Sequence, residues 1–501
     1  MKRVNIYISM GSIGLALLTG LIGWYTHNFY MLGVTTFLLF FNNVFYAFQV
    51  IRERILFLLF QIIFFTFLLA RPILGTLHQT EWYSAAEQAE ENVRFALLIV
   101  ILALLGMYVG ANLANRIHAI LESREAKESP TISKTINEKM KNWNRNLSLI
   151  ALIMFYTTIP FFFGQELEKL IFMRGREYID YYSQFQSRLP SLFFTISSFM
   201  KYSLCLFLAT FPTRRRAVLP LILLGISAIP ALLIGERNPI VLNAVFIFVY
   251  FCIRELLENK GKWVGKIEKR LAIISVPIAS IALSIYGNLR GGGDILKEKN
   301  PFILLEKFFL EQGVSFDILS IAYGYRFNLP QREEINYTFG AIIDYFQYGR
   351  IGQWLLGTTP MPDGNNIIRA TQGNSLSHHL AYVTRKESYF EGMGYGSSYI
   401  LEAWLDYGYI GVFIVNILLG MLLIYALYWF QKNNLVRTII LVSLLTIFLI
   451  PRAETSSWIM FLFTIQFWLC VGACYLGTLI CVKSKLLQSI LTKLHLYPKK
   501  V

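Results

Sequence analysis

The chain has 501 residues, of which 55% are hydrophobic and 15% aromatic, and its mean hydropathy is +0.50. Only 15% of the residues are charged, well below the roughly 25% of soluble domains. This composition excludes an ordinary soluble protein and indicates a membrane protein that crosses the bilayer many times. The net charge of +15 follows the connections between spans, which excludes a nucleic-acid-binding patch.

Apolar segments of membrane-spanning length recur along the chain and predict an all-α polytopic membrane protein with about twelve transmembrane helices. The predicted spans are 5–25, 28–49, 55–73, 94–114, 146–164, 191–211, 217–235, 239–255, 271–288, 406–430, 438–450 and 459–481. The eleventh is short, and we expect it to continue for a further turn at one end. All five cysteines fall within the spans or at their ends, so no disulfide framework or cysteine metal site is predicted.

The short connections that fall on one side of this arrangement are basic. They read "RER" at 52–54, "TRRR" at 213–216 and "QKNNLVR" at 431–437. Because Lys and Arg concentrate in cytoplasmic loops, these connections are predicted to be cytoplasmic. An even number of spans then places both termini in the cytoplasm.

One segment on the opposite side is much longer than the others. The chain divides into nine spans in 1–288, an extracytoplasmic loop in 289–405, and three spans with a basic cytoplasmic tail in 406–501. The loop opens with the glycine-rich "NLRGGGD" and contains many aromatic residues. Long loops on a rigid scaffold often carry function, so the substrate site is expected in this part of the chain.

Arginines recur on the predicted outer side, where positive charge is normally depleted. Arg237, Arg290 and Arg452 follow span ends, and Arg385 lies in the large loop. A guanidinium group suits phosphate oxygens, so these residues are candidates for binding a lipid pyrophosphate. The alternative is that they reach lipid headgroups or pair with neighbouring acids.

Two further residue types are candidates for chemistry. Lys201 lies near the centre of the sixth predicted span, where an ionisable side chain usually faces a cavity or a partner, and it is a further candidate for binding the pyrophosphate. His378 and His379 lie in the large loop, and histidine is the usual general base near neutral pH. Adjacent histidines point in different directions on most backbones, so we expect at most one of them to act, and His378 is the candidate. No metal-ligand spacing surrounds them, and no metal site is predicted.

The aromatic residues of the loop have two interpretations. Tyr323, Tyr348 and Trp354 could stack on the faces of sugar rings while their polar atoms bond hydroxyl groups. They could equally belong to an interfacial belt that packs the loop onto the helices.

The segment "GMGYGSSYILEAWLDYGYIG" at 392–411 leads from the loop into the tenth predicted span. Glu402 and Asp406 are four residues apart and so share one face if the segment is helical. The pattern G-x-G-x-S-x3-E-x5-G-x2-G is carried here by Gly394, Gly396, Ser398, Glu402, Gly408 and Gly411. Together with the single large loop, this pattern resembles the Wzy-type polymerases of O-antigen, capsule and exopolysaccharide, and more loosely the O-antigen ligase superfamily. Members of the ligase superfamily often have a histidine where this chain has Ser397 and Ser398, which favours the polymerase.

The resemblance implies a fold of the GT-C kind, a helical bundle whose cavity opens toward the outer leaflet of the bacterial cytoplasmic membrane. It also implies transfer of a growing glycan from undecaprenyl pyrophosphate to a sugar hydroxyl of a new lipid-linked repeat unit. Within this reaction, arginines would stabilise the pyrophosphate, and the candidate general bases are Glu402, Asp406 and His378. No metal or other cofactor is expected, and a chain-length-regulating co-polymerase is an expected partner.

Other functions remain possible from the sequence. A ligase would move finished glycan to a different acceptor, and a flippase would carry lipid-linked oligosaccharide across the membrane. Transporters usually show repeat symmetry, whereas the two halves of this chain differ. The sequence has no Walker lysine loop, so it does not support an ATPase.

Overall fold

A computed structural model of the protein describes residues 2–78, 89–125, 134–257, 263–290 and 300–484. Within these ranges the regular secondary structure is entirely helical. The α-helices are α1 Lys2–Tyr25, α2 Phe29–Gln49, α3 Ile51–Phe64, α4 Ala70–His78, α5 Glu90–Glu125, α6 Lys134–Met173, α7 Tyr178–Gln184, α8 Ser191–Ala209, α9 Arg214–Ile226, α10 Ile229–Leu233, α11 Asn238–Leu257, α12 Lys266–Arg290, α13 Pro301–Gln312, α14 Val314–Gly324, α15 Gly340–Tyr348, α16 Arg350–Leu356, α17 Ile367–Gln372, α18 Leu376–Thr384, α19 Lys386–Phe390, α20 Tyr399–Trp429, α21 Asn434–Leu444 and α22 Ile465–Lys483. A π-helical turn, Phe65–Leu69, joins α3 to α4, and the 3₁₀ helices Ile447–Arg452 and Met460–Phe463 lie between α21 and α22.

Eleven segments within the described ranges are long and apolar enough to cross a membrane. Eight of them lie in single helices, namely α1, α2, α5, α6, α8, α11, α20 and α22. The other three are composite: Ile51–Leu77, Arg214–Leu233 and Asn434–Arg452. The prediction of an all-α polytopic membrane protein is therefore confirmed. The short eleventh predicted span, 438–450, proves longer at both ends.

The predicted ninth span, 271–288, lies within α12, Lys266–Arg290, and is helical. Among the residues whose side chains the structure describes, Pro277–Tyr286 is an apolar part of this helix. The 25 residues of α12 rise roughly 38 Å, more than the ~30 Å hydrocarbon core of a bilayer. The described residues thus give eleven of the twelve predicted spans, and both the ninth span and the placement of both termini in the cytoplasm stay predictions. The glycine-rich turn at 291–294 and the basic tail from 485 onward lie outside the described residues.

Glycines hold α20 against α5. Gly106 and Gly110 lie one turn apart on α5, and a Cβ atom at Gly106 would be 2.7 Å from the carbonyl oxygen of Phe413. A Cβ at Gly110 would overlap the backbone of Ile417, and one at Gly420 would overlap the backbone of α5. Small residues at this spacing allow two membrane helices to approach closely. The position of α20, which carries Glu402 and Asp406, is therefore fixed by backbone contact.

Helices of the large loop dock onto the ends of the membrane helices. Arg71 of α4 donates from Nε to the carbonyl oxygen of Leu310 at 2.8 Å and forms an ion pair with Asp317 of α14. The ring of Phe95 on α5 stacks on that of Tyr323 on α14, with the two centroids 4.0 Å apart. An ion pair and a ring stack thus attach this part of the loop to the bundle.

A bend in α20 separates its acidic first turns from its apolar remainder. Gly408 has φ +65° and ψ −161°, a backbone conformation that only glycine adopts without strain. A Cβ at Gly411 would overlap the side chain of Tyr407. Two glycines of the motif are therefore required by the bend, which leaves Glu402 and Asp406 on the loop side of it.

Candidate functional site

A cavity of about 910 Å³ lies next to the segment that leads into α20. Its lining residues are Glu177, Tyr178, Ile179, Tyr182, Asn238, Asn365, Ser377, His378, Ala381, Arg385, Tyr389, Gly392, Met393, Gly394, Tyr395, Gly396 and Arg452. Three predicted site residues, His378, Arg385 and Arg452, are among them. The volume falls within the roughly 300–1,000 Å³ of small-molecule pockets. The fold thus gathers one of the predicted bases and two of the predicted phosphate-binding residues.

Hydrogen bonding fixes the tautomer of His378, which lies on α18. Its Nδ1 is 2.9 Å from the hydroxyl oxygen of Tyr389. The Tyr389 hydroxyl donates to the carbonyl oxygen of Asn366 at 3.0 Å and accepts from the amide of Asn366 at 3.2 Å. Because the single phenolic hydrogen goes to Asn366, Nδ1 supplies the hydrogen of the histidine bond. The other ring nitrogen, Nε2, is then an acceptor with a lone pair.

The surroundings of His378 also fix its charge. Burial lowers the pKa of His378 to about 4, and the Arg369 guanidinium contributes in the same direction. The ring is therefore neutral near pH 7. Asn366 orients the Tyr389 hydroxyl and, through it, the ring of His378. Its own side chain caps α17 by accepting from the amide of Arg369 at 3.0 Å, which holds Asn366 in place.

His379 lies in different surroundings from its neighbour. It is completely buried, and its Nδ1 is 3.0 Å from the hydroxyl oxygen of Tyr337. Its Nε2 is buried and has no hydrogen-bond partner among the described residues. Burial lowers the pKa of His379 to about 4, assisted by Arg332. His379 is not part of the cavity lining, so the structure distinguishes the two adjacent histidines.

Arg385 and Arg452 bring positive charge to the cavity. Arg385 follows the last residue of α18, and its guanidinium carbon lies 5.2 Å from the centroid of the Tyr395 ring. Arg452 is the last residue of a 3₁₀ helix and donates from Nη1 to Oε1 of Gln312 at 3.0 Å. A Cβ at Gly396 would be only 3.1 Å from the carbonyl oxygen of Arg452. The motif glycine thus allows the segment before α20 to pass close to Arg452.

Glu402 is completely buried in the first turn of α20 and does not line the cavity. Its Oε1 accepts from the hydroxyl of Ser397 at 2.5 Å. Its Oε2 accepts from both the backbone amide and the hydroxyl of Thr455, each at 2.7 Å. The carboxylate therefore ties the motif turn to the segment that carries Arg452, three residues before Thr455.

A second bond ties the same segment to α18. Oε1 of Glu454 accepts from the hydroxyl of Ser375 at 2.7 Å, and Ser375 is the N-cap residue of α18. The Ser375 hydroxyl is also 2.9 Å from that of Ser377, which lines the cavity. Burial raises the pKa of Glu454. The segment that carries Arg452 is therefore hydrogen-bonded both to the motif turn and to the start of α18, the helix that carries His378.

Comparison with known families decides between the functions that the sequence allows. The family model of the O-antigen polysaccharide polymerase Wzy matches residues 8–485, nearly the whole chain. The chain belongs to the O-antigen polysaccharide polymerase Wzy family. The family polymerises lipid-linked repeat units, so this membrane protein is a glycosyl-transferring polymerase, and not the flippase or the ligase considered above. No curated protein and no solved structure is similar enough to match the chain.

Asp406 of the Wzy polymerase has different partners from Glu402, although both lie on the loop side of the bend in α20. Its carboxylate accepts from the backbone amide of Tyr337 at 3.1 Å and from that of Thr338 at 2.6 Å. It does not line the cavity. Asp406 thus ties the large loop to α20.

Across the described ranges, no three His, Cys, Asp or Glu side chains are grouped as metal ligands.

The remaining predicted cations of the Wzy polymerase lie away from the cavity lining or outside the described part. Arg237 donates from Nη1 to the carbonyl oxygen of Leu283 at 3.1 Å. Lys201 lies within α8, in the neighbourhood of the carboxylate of Glu166. Neither lines the cavity. Arg290 is the last residue of α12, and its side chain lies outside the described residues.

The aromatic residues predicted to bind sugar also lie outside the cavity lining. Tyr323 is part of the ring stack with Phe95. The hydroxyl of Tyr348 donates to the carbonyl oxygen of Gln372 at 3.2 Å. Trp354 is 83% exposed on α16. Their predicted sugar contacts stay predictions.

The aromatic side chains that do line the cavity were not predicted from the sequence. They are Tyr178, Tyr182, Tyr389 and Tyr395. The first two lie on α7, in the tyrosine-rich run "YIDYYSQ" between the fifth and sixth predicted spans. This run was the available signal in the sequence, because it places three tyrosines within five residues of one connection between spans.

Proposed function

We propose that this cavity is the glycosyl-transfer site of the Wzy polymerase, located at the outer face of the bacterial cytoplasmic membrane. The donor is the growing glycan on undecaprenyl pyrophosphate, and the acceptor is a hydroxyl on the terminal sugar of a new lipid-linked repeat unit. One observation carries the proposal: a neutral histidine with a defined tautomer lines the same cavity as two arginines.

The proposed reaction balances without a nucleotide. The acceptor hydroxyl oxygen forms a bond to the anomeric carbon of the donor, while the bond from that carbon to the phosphate oxygen breaks. The hydroxyl proton moves to Nε2 of His378, and undecaprenyl pyrophosphate leaves with the bonding electrons. General-base catalysis of this kind contributes about 10²–10⁴-fold to a rate. The pKa of about 4 leaves Nε2 unprotonated at physiological pH and therefore able to accept the proton.

Arg385 and Arg452 are the proposed stabilisers of the leaving pyrophosphate. Guanidinium groups present several donors in a fixed plane, keep their charge at all physiological pH values, and bind phosphate oxygens strongly. Donors held in place before the reaction lower the cost of developing negative charge. The proposal gives this role to arginines rather than to a metal ion. The contacts predicted for Arg237, Arg290 and Lys201 stay predictions.

Glu402 and Asp406 have holding roles in this proposal. The bonds from Ser397 and Thr455 occupy both oxygens of Glu402 inside the protein, so this carboxylate keeps the Arg452 segment in place. Asp406 keeps the loop residues Tyr337 and Thr338 against α20. Both are therefore positioning residues, and His378 takes the role of the base.

The wider setting of the enzyme follows from the same proposal. A helical bundle with a cavity at the end that carries the large loop fits a GT-C-like enzyme with cytoplasmic termini. A chain-length-regulating co-polymerase is the expected protein partner. We assign it no surface.

A deletion strain complemented with variants tests the proposal. Arg385→Ala and Arg452→Ala, at wild-type protein levels, are expected to leave single repeat units on their acceptor and to remove the ladder of longer glycans. Arg350→Ala is the matched control, because Arg350 begins α16 in the same loop, is exposed and does not line the cavity. A normal ladder from both cavity variants would contradict the proposal.

A further inference from the structure

Helix α7 adds tyrosine hydroxyl groups and aromatic rings to the cavity, opposite in character to the charged arginines. Tyr178 and Tyr182, one turn apart, both line it. Their hydroxyl oxygens are 2.8 Å apart, and the hydroxyl of Tyr182 is 3.4 Å from Oε1 of Glu236. The sequence of the helix, "YIDYYSQ", contains no basic residue. We call this arrangement the tyrosine row: Tyr178, Tyr182 and Glu236.

The tyrosine row has a direction. Tyr182 donates its hydrogen to the carboxylate of Glu236, so the hydrogen between the two tyrosines comes from Tyr178. Burial raises the pKa of Tyr182, which keeps its hydroxyl protonated. A hydroxyl oxygen whose hydrogen points away along such a row presents lone pairs. At the cavity the row is therefore built to accept hydrogen bonds from hydroxyl groups, beside aromatic faces on which a sugar ring can lie.

The carboxylate at the end of the row lies in charged surroundings. The charged neighbours of Glu236 are Lys169 and Glu166 of α6. These two form an ion pair of 2.7 Å with little exposure to solvent. Burial raises the pKa of Glu236 and Glu166 acts in the same direction, whereas the ammonium group of Lys169 and the hydrogen bond from Tyr182 oppose that rise.

Glycines with positive φ pack the surrounding backbone onto α7. Gly235 has φ +104°, and a Cβ there would overlap the ring of Tyr178. Gly392 has φ +105°, and its Cβ would be 2.7 Å from a carbonyl oxygen of α7. Gly364 has φ +74°, and its Cβ would be 2.5 Å from the carbonyl oxygen of Tyr182. Since other residues are strained at such φ values, these contacts depend on glycine and make α7 a fixed wall.

The tyrosine row and the arginine side of the cavity lie at the two ends of one short segment. Gly392 packs on α7, and Gly396 packs on the backbone of Arg452. Four residue steps cover at most about 14 Å. A ligand in the cavity can therefore contact both ends at once.

We infer that α7 forms the acceptor-sugar subsite of the polymerase, in which hydroxyl groups of the incoming terminal sugar donate to the tyrosine row. The inference rests on the proposed function, in which Arg385 and Arg452 bind the pyrophosphate of the donor. It separates the two substrates by chemistry: the end with tyrosines takes a neutral, hydroxyl-rich sugar, and the end with arginines takes the anion.

The test uses the purified full-length polymerase with its lipid-linked repeat unit and two probes. The first probe is the strain's own repeat-unit oligosaccharide released from its lipid by mild acid, which keeps the acceptor hydroxyl but has no pyrophosphate. The second is undecaprenyl pyrophosphate, which has no sugar. Tyr178→Phe and Tyr182→Phe are expected to raise the half-saturating concentration of the free oligosaccharide about three- to tenfold, the usual worth of a hydrogen bond. Inhibition by undecaprenyl pyrophosphate is expected to be unchanged.

Tyr156→Phe is the matched control, because Tyr156 lies on α6, is 39% exposed and does not line the cavity. It should leave the half-saturating concentration of the oligosaccharide unchanged. Wild-type values for both cavity variants, or an equal loss with both probes, would overturn the inference. Failure of the proposed function is a separate result: normal polymerisation by Arg385→Ala and Arg452→Ala would remove the pyrophosphate assignment, whatever the tyrosine variants show.

Discussion

The carboxylate of Glu402 accepts two hydrogen bonds from Thr455, one from the backbone amide and one from the side-chain hydroxyl, each 2.7 Å long. Glu402 precedes the bend of α20. Thr455, more than fifty positions later, follows the 3₁₀ helix that ends at Arg452. The bonds therefore set the position of Arg452 relative to the motif turn. Glu402, the acid of the motif that resembles the polymerase family, therefore has a structural role.

The first prediction tests whether Glu402 holds the Arg452 segment in place or acts as the general base. In Glu402→Gln, the amide oxygen can accept both bonds from Thr455, and the amide nitrogen can donate to the hydroxyl of Ser397. Polymerisation by the purified variant is therefore expected to stay within about tenfold of wild type, since the loss of a general base would cost about 10²–10⁴-fold.

Glu402→Ala is the companion variant. It leaves the part-buried amide and hydroxyl of Thr455 without their acceptor, at a cost of up to about 1–3 kcal/mol for each unsatisfied group. It should lower both the thermal unfolding temperature and the polymerisation rate. If the glutamine variant were as inactive as the alanine variant while unfolding at the wild-type temperature, the holding role would be wrong.

The second prediction concerns the bend at Gly408. An alanine there is forced into φ +65° and ψ −161°, at a cost of roughly 1–3 kcal/mol or a straightening of α20 that displaces Glu402. Gly408→Ala should therefore lower the unfolding temperature and reduce activity. Gly472→Ala in α22 is the control, because a Cβ there meets nothing within 4 Å. Equal stability of the two variants would show that the bend is not needed.

The third prediction is a dependence of stability on pH. Both His378 and His379 have a pKa of about 4 in the folded protein, against about 6.5 for an unperturbed histidine. Between these values the unfolded chain binds more protons, so stability falls as the pH is lowered from about 6.5 toward 4. Above pH 6.5 both states are neutral at these positions and the effect is absent.

The measurement is the thermal unfolding temperature of the purified protein at pH 7 and at pH 4.5. The double variant His378→Asn with His379→Asn should lose less stability over this interval than the wild type. Identical losses would show that neither histidine is held neutral by the fold.

The fourth prediction concerns the attachment of the loop by Asp406. Asp406→Ala removes the acceptor for the amides of Tyr337 and Thr338 and should speed cleavage of the large loop by an added protease. Asp363→Ala is the control, because the Asp363 side chain is 91% exposed in its pair with Arg369, and exposed pairs contribute little. Equal cleavage rates in the two variants would contradict the attachment.

The fold class and the part of the chain that forms the site could be predicted from the sequence. Hydrophobic length alone predicted most of the spans, because a bilayer core demands about twenty apolar residues per crossing. The ninth predicted span lies in α12, a helix of 25 residues, and stays a prediction. The motif that leads into α20 located Gly396, Gly408 and Gly411, and at each of these positions the backbone geometry or a close contact favours glycine.

The sequence was less informative about which side chains meet. Spacing on α20 predicted that Glu402 and Asp406 share a face, but it could not show that each is bound by a different distant segment. The tyrosines of α7 escaped prediction because their contact with the loop depends on Gly364 and Gly392, far away in the sequence. Likewise the difference between His378 and His379 arises from Tyr389 and Tyr337, and no local pattern indicates those partners.

The most direct test of the central claim compares the two adjacent histidines in purified polymerase supplied with its lipid-linked repeat unit. In His378→Asn the amide nitrogen can still donate to Tyr389, but no base replaces Nε2, so the initial rate is expected to fall about 10²–10⁴-fold at an unchanged unfolding temperature near pH 7. His379→Asn, which keeps a polar atom facing Tyr337, is expected to polymerise within a few-fold of wild type. A wild-type rate from folded His378→Asn would contradict the assignment of the cavity as the site of glycosyl transfer with His378 as its base.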